Sequence, residues 1–88
     1  MSVTLETAFE LDPRVSLRAE PFGALAYHFG NRKLVFLRHP DVVAVVRELT
    51  KHQTLADTLT AIGIDRDRWQ SFVAAIDSLH SSDMIRVR

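Results

Sequence analysis

Tyr27 and His28 are neighbours in the sequence and form the pair of residues best suited to acid–base chemistry. They lie in FGALAYHFGNRKLVFLR (22–38), whose pattern predicts two strands joined by a turn. Neighbouring residues of a strand point to opposite faces, so the two side chains cannot act on one substrate without a bulge. We therefore expect Tyr27 in the core, with its hydroxyl at the rim, and His28 as a half-exposed strand residue.

The remaining titratable residues lack the spacing of a catalytic or metal site. Neither H-x-x-H nor H-E-x-x-H links the four histidines, which are His28, His39, His52 and His80. Cysteine is absent, which excludes disulfides and thiolate-bound metals. Asp65 and Asp67 lie at the N-terminus of a predicted helix, where acidic residues mostly cap the helix and complement its dipole. With no phosphate-binding or nucleophile motif either, the sequence predicts a protein that is not an enzyme and holds no cofactor.

Composition limits the possible partners. The 88 residues suffice for one domain, and 47% hydrophobic with 25% charged residues is ordinary for a folded protein. The formal net charge is zero, whereas a nucleic-acid binder of this size usually has a clear positive excess. The chain shows no secretory signal and no run of about 18 apolar residues that could span a bilayer. We expect a cytoplasmic protein that binds neither nucleic acid nor membrane.

The elements that position these residues begin with three strands. Residues 1–14 read as a polar lead-in, and alternation from Val15 predicts the first strand. A two-residue turn at Gly30-Asn31 would pair Tyr27 with Leu34. This register places the bulky hairpin residues together on one face, which we take as the core face; they are Leu25, Tyr27, Phe29, Leu34 and Phe36.

Three helices follow the hairpin. Pro40 suits the first position of a helix, Thr54 and Asp65 are predicted N-caps, and Gly63 a C-terminal stop. The first helix has the predicted buried stripe Val42, Val45, Val46 and Leu49. The sequence thus predicts an α+β domain of winged-helix-like type over 15–88, with a three-stranded antiparallel sheet followed by three helices.

The second arm of the hairpin, Leu34–Leu37, is predicted to lie at a sheet edge. Edge strands expose unpaired backbone groups, and the centre of this one is uncharged. The third helix or residues 1–14 could simply cover it. Alternatively, a partner segment adds a strand there, beside Trp69 and Phe72 of the third helix.

Three segments resemble a known family. PFGALAYHFGNRKLVFL (21–37) closely resembles the mycofactocin-biosynthesis peptide chaperones, and the similarity extends to LDPRVSLR (11–18) and VVAVVREL (42–49). These chaperones are related to the pyrroloquinoline-quinone peptide chaperone and to the wider RiPP recognition elements, which bind ribosomally made precursor peptides.

The resemblance implies a non-catalytic chaperone that binds the leader of a short precursor peptide as an added strand. It also implies presentation to a radical-SAM maturase, which supplies the iron–sulfur clusters and S-adenosylmethionine. Mapped by position, the strand would be supplied by Lys33, Leu34, Val35, Phe36 and Leu37. By helix periodicity, the opposing wall would contain Arg68, Trp69, Phe72 and Ile76. The maturase-binding surface stays open, and the polar face of the first helix around Arg47 is one possibility.

Two alternatives come from other classes of function. A winged-helix DNA-binding regulator would use the second and third helices, although Arg66 and Arg68 are offset by neighbouring aspartates. An oligomerisation domain would pair its edge strand with a copy of itself. We expect a monomer or a weak homodimer.

Overall fold

Five strands and three helices make up the protein, whose structure is a computed structural model describing residues 5–88. In chain order they are β1 (Phe9–Leu11), β2 (Val15–Glu20), β3 (Gly23–His28), β4 (Leu34–Leu37), α1 (Pro40–Glu48), α2 (Leu55–Ile62), α3 (Trp69–Ser81) and β5 (Ile85–Val87). One antiparallel sheet has the strand order β2-β3-β4, and a second pairs β1 with β5. The predicted α+β fold, a three-stranded antiparallel sheet followed by three helices, is confirmed.

The helix ends follow local chemistry. Thr54 accepts a hydrogen bond from the Asp57 backbone N–H at 3.1 Å, so the predicted cap of α2 is confirmed. Gly63 ends the same helix with a left-handed φ of 86°, which glycine adopts without strain. The prediction for Asp65 is wrong, because it makes no side-chain capping bond and precedes a 3₁₀ turn, Arg66–Arg68. The helix α3 therefore begins only at Trp69.

The hairpin has the predicted register. Tyr27 pairs with Leu34 and Leu25 pairs with Phe36 across β3 and β4. The turn is wider than a two-residue turn, because the His28 carbonyl accepts from the Arg32 N–H at 2.8 Å. Register was thus predictable, since hydrophobic pattern and turn position agree on it.

The buried face of this sheet is the opposite of the predicted one. Ala24, Ala26 and His28 are at most 1% exposed, whereas Leu34 and Phe36 are 50% and 53% exposed. The helix α1 contacts β3, and small side chains let a helix approach a sheet closely. The bulky hairpin residues are consequently left on the outer face of the sheet, where Leu25 and Tyr27 are half-buried and Phe29 is exposed.

The two chain ends close the fold on the other side. Within the predicted lead-in, Phe9 is 2% exposed and belongs to the core, and β1 pairs antiparallel with β5. The Leu55 N–H donates to the Thr7 carbonyl at 3.0 Å, which ties the chain before β1 to the start of α2. Among residues 5–88, β4 has β3 as its single strand partner. The described part of the N-terminal segment therefore leaves the β4 edge unpaired.

Candidate functional site

At the outer edge of β4, the backbone N–H and C=O groups of every second residue point away from β3. The His28 N–H donates to the Lys33 carbonyl at 3.0 Å. At the other end of the strand, a Cβ on Gly23 would lie 2.1 Å from the Leu37 carbonyl oxygen, so this carbonyl also faces β3. Because backbone direction alternates along an antiparallel strand, Leu34 and Phe36 point their N–H and C=O groups away from β3. These two residues form the free hydrogen-bonding edge.

A groove runs between this edge and α3. Its first cavity has a volume of about 340 Å³ and lies where the end of β4 faces the C-terminal half of α3. Strand, connection and helix all contribute to its lining, which is formed by Val35, Phe36, Leu37, Arg38, His39, Val42, Ala75, Ser78 and Leu79. The free strand edge therefore lies beside a largely apolar groove.

A second cavity of about 360 Å³ continues this groove toward the start of α3. It shares His39 and Val42 with the first cavity and adds Arg68, Ser71 and Phe72. The two shared residues make the cavities neighbours. Val42, predicted as part of the buried stripe, is only partly buried.

Small side chains form the α3 face of the groove. Ser71, Ala75 and Ser78 recur at helical spacing and line one cavity or the other. Their short side chains leave space beside the strand edge. Sequence reasoning missed all three because it looked for large anchors, although their spacing in the sequence was the available signal.

The predicted wall residues occupy different places. Ile76 is 0% exposed, a core residue outside the lining of both cavities, whereas Phe72 is largely buried but still lines the second cavity. The Trp69 indole N–H donates to the Ile64 carbonyl at 2.9 Å, which anchors the start of α3. Arg68 lines the second cavity beside Phe72. The structure brings Arg68 and Phe72 toward the predicted strand and leaves Ile76 and Trp69 as packing residues.

The charge of the groove is basic. Arg68 donates to Asp41 at 2.8 Å, and its guanidinium lies 5.2 Å from the centre of the Phe72 ring. Arg38 lies in the lining of the first cavity, stacks 5.8 Å from the Phe36 ring and forms no ion pair within residues 5–88. Each cavity thus has one arginine in its lining, and one of the two is without a carboxylate partner in the described chain.

His28 fastens the turn of the hairpin. Its Nδ1 accepts hydrogen bonds from the backbone N–H groups of Gly30 and Asn31 at 2.9 and 3.0 Å. Its Nε2 is buried and lies 3.9 Å from the Asp12 carboxylate, beyond hydrogen-bond length. The prediction of a half-exposed His28 is therefore wrong, because the turn requires its ring on the inner face.

Asp12 secures the start of β2 next to this histidine. The Arg14 side chain donates to both carboxylate oxygens at 3.1 Å, and the Arg14 backbone N–H donates at 2.9 Å. These hydrogen bonds, from the side chain first and the backbone second, lower the pKa of Asp12 to about 2. The carboxylate stays ionised above that pH and holds the turn into β2.

Tyr27 is separated from His28 by the sheet itself. Its ring lies on the outer face, 5.2 Å from the Phe29 ring in an edge-to-face arrangement. The prediction of Tyr27 as a core residue is wrong, since it is only half-buried and on the face away from the helices.

The described residues also contain no group of three or more His, Asp or Glu side chains that could hold a metal ion. In the same range, no helix has the length and apolar character needed to cross a membrane.

The protein is thus a small α+β domain with an unpaired strand edge beside a helix-walled groove. This protein belongs to the Peptide chaperone MftB family, whose sequence profile matches residues 8–86. The family resemblance of the hairpin sequence is thereby confirmed.

Three curated relatives show the same membership. The peptide chaperone MftB of Mycolicibacterium smegmatis is 40% identical over 80 residues, which cover 91% of this chain and 78% of that protein. The proteins of the same name from Mycobacterium ulcerans and Mycobacterium tuberculosis are 39% and 36% identical over 80 residues, covering 91% of this chain and 73% of each. No solved structure matches the chain.

Proposed function

We propose that this protein is a non-catalytic chaperone for the leader of a ribosomally made precursor peptide in mycofactocin biosynthesis, which it presents to a radical-SAM maturase. The relatives are named peptide chaperones, which supports the chaperone role. The observation that carries the mechanism is the free edge of β4 beside the groove.

The leader binds as a fourth strand of the sheet. The N–H and C=O groups of Leu34 and Phe36 hydrogen-bond to its backbone, which gives affinity without regard to side chains. Alternate leader side chains then point to one face of the extended sheet. On the inner side they enter the groove, where Ser71, Ala75 and Ser78 leave them space.

Electrostatics favour an acidic leader segment. Arg38 and Arg68 line the two cavities, and Asp41 neutralises only the second of them. A leader carboxylate near Arg38 would gain a partner in a partly apolar site, where ion pairs are screened less than on an open surface. Selection thus combines backbone pairing, small-residue space and one unpaired cation.

Binding to the chaperone raises the local concentration of the peptide at its enzyme. A tethered ligand reaches effective concentrations of about a millimolar with short flexible connections. The chaperone itself performs no chemistry in this scheme. Its role is to order the leader and leave the peptide's reactive end free for the maturase.

Titration of isotope-labelled protein with the synthetic leader of the pathway's precursor tests this proposal. We expect backbone amide shifts at residues 34–37 of β4, together with shifts at Ser71, Ala75 and Ser78. A leader peptide of scrambled sequence is the control and should give much smaller shifts. A titration that leaves β4 unchanged would contradict strand addition.

Salt dependence separates the proposal from DNA binding. Affinity for the leader should fall only modestly between low and physiological salt, because backbone hydrogen bonds carry most of it. Binding of a DNA duplex would weaken steeply over the same range through counterion release. Tight, steeply salt-dependent duplex binding by this chain would favour the regulator.

A further inference from the structure

The outer face of the three-stranded sheet exposes an apolar surface that shares only Phe36 with the lining of the groove. Phe22 is 40%, Leu34 50%, Phe36 53% and Phe29 63% exposed, and Tyr27 adds a half-buried ring. We call these five residues the aromatic face. Contiguous exposed apolar patches of this kind mark interaction sites more often than single exposed residues do.

The aromatic face is ordered by ring contacts. Phe22 and Phe36 pack edge to face with centroids 5.8 Å apart, and Tyr27 and Phe29 do the same at 5.2 Å. Paired rings hold each other in place, which lowers the entropy that a partner must overcome on binding. Aromatic residues are also enriched in the energetic centres of protein interfaces.

Charge surrounds this face asymmetrically. Residues 12–38 contain five basic side chains and two acidic side chains, a net charge of +3, so the remainder of the neutral chain carries −3. Arg14 and Arg18 pair with Asp12 and Glu20. The other three basic residues of the segment, Arg32, Lys33 and Arg38, form no ion pair within residues 5–88.

This charge selects the occupant of the aromatic face. A second copy of the chain would place two segments of net charge +3 against each other, which opposes self-association through this face. An acidic protein surface with apolar residues at its centre is complementary to it. A leader added at the edge of β4 reaches the outer face only beside Leu34 and Phe36, so it leaves Phe22, Tyr27 and Phe29 uncovered.

We propose that the aromatic face docks the radical-SAM maturase through an acidic, partly apolar surface of that enzyme. This inference rests on the proposed function, since it takes the maturase as the second partner. Leader and maturase then lie on the edge and the outer face of one sheet, with β4 belonging to both sites. A leader bound as the fourth strand is thereby delivered directly beside the enzyme.

Two substitutions test the aromatic face without altering the groove. Phe29→Ser removes the most exposed ring, and Arg32→Asp reverses a charge at a residue with a φ of 62°, which aspartate adopts readily. Neither residue lines a cavity of the groove. Arg47→Glu is the matched control, because Arg47 is exposed on the polar face of α1.

Binding of the purified maturase to each variant is measured by calorimetry, with leader affinity measured separately. We expect Phe29→Ser and Arg32→Asp each to weaken maturase binding about tenfold, with leader affinity within about twofold of wild type. Arg47→Glu should bind the maturase as the wild type does.

Several results would overturn the inference. One is unchanged maturase binding by both Phe29→Ser and Arg32→Asp; another is a loss confined to Arg47→Glu, which would place the enzyme on α1. A wild-type chain that binds the leader but not the maturase would overturn this inference alone, whereas a failure to bind the leader would overturn the proposed function. Binding of phosphatidylserine vesicles that both variants lose, with maturase binding intact, would assign the face to a membrane.

Discussion

Gly30 and His28 meet in a contact that decides the shape of the hairpin turn. The His28 ring accepts the N–H groups of the turn, and a Cβ on Gly30 would lie 2.7 Å from its Cε1 atom. A separation this short forces the ring or the turn to move. Glycine is needed here for close approach, since its φ is not in the left-handed region.

Gly30→Ala should therefore destabilise the protein by about 1–3 kcal/mol through overpacking. Urea unfolding at neutral pH measures the loss. The same substitution in a His28→Ala background is the control, because without the ring the closest atom to the added methyl is Nη1 of the flexible Arg14 side chain, at 3.1 Å. An equal cost in both backgrounds would show that the contact with His28 is not the cause.

Asp12 gives the protein a defined sensitivity to acid. Its pKa is lowered from 3.8 to about 2 by the hydrogen bonds from Arg14, so folding favours the ionised form. This contribution is complete above the unfolded pKa of 3.8. It is lost as the pH falls from about 4 toward 2, through the folded-state pKa.

Asp12→Asn should lower the free energy of unfolding by about 1–2 kcal/mol at pH 7, the scale of hydrogen bonds to a charged group. Wild type and variant should converge as the pH falls from about 4 to 2. Urea titrations at several pH values check this. Both proteins contain the other carboxylates, including Glu48, whose pKa is lowered by Lys51. Their contributions therefore cancel in the difference between the two free energies of unfolding. A gap that stays constant down to pH 2 would contradict the assignment.

At the scale of elements, the hairpin shows what sequence could and could not predict. Its register followed from the turn position and the alternation of residues, and the structure has the same pairs, Tyr27 with Leu34 and Leu25 with Phe36. The choice of face was not predictable in this way, because both faces of β3 and β4 carry apolar residues. The helices pack on the face with Ala24, an arrangement that depends on tertiary contacts.

The candidate site was predictable in part for the same reason. The strand Leu34–Leu37 could be predicted to lie at a sheet edge, because it is the last strand of the hairpin and α1 follows it directly in the chain. The helix wall was less accessible, since periodicity gives the spacing of a face but not its rotation about the helix axis. Ile76 consequently turned out to be buried, and the small residue Ala75, its neighbour, lines the groove.

Proline substitution in β4 separates its two edges. Leu34→Pro removes an N–H that points to the free edge, whereas Val35→Pro removes one that belongs to the ladder with β3. We expect Leu34→Pro to fold and to bind the leader about tenfold more weakly than Leu34→Ala, the control for the lost side chain. Val35→Pro should instead lower the stability of the sheet.

Thermal unfolding and leader titration of the three variants check this distinction. The result that would contradict strand addition is a folded Leu34→Pro protein with the leader affinity of Leu34→Ala. A stable Val35→Pro protein would instead contradict the assignment of backbone directions along β4.

At the scale of the whole molecule, two surfaces meet at one strand. The core and the pairing of β1 with β5 stabilise one side of the fold. On the other side, the free edge of β4 borders the groove, and the outer side chains of β4 belong to the aromatic face. A leader added at this edge enlarges the sheet beside β4. It does not cover Phe22 or Phe29, which lie at the two ends of β3. In the proposed arrangement, leader and maturase therefore have room on one chaperone at the same time.

The proposed arrangement predicts a ternary complex. Chaperone saturated with leader should bind the maturase at least as tightly as free chaperone does, because an added strand orders β4 and Phe36 in advance. Calorimetric titration of maturase into free and leader-saturated chaperone measures the difference, and scrambled leader at the same concentration is the control. By linkage, maturase must then raise leader affinity by the same factor. Competition between the two ligands would show that they share one surface, and the division between groove and aromatic face would be wrong.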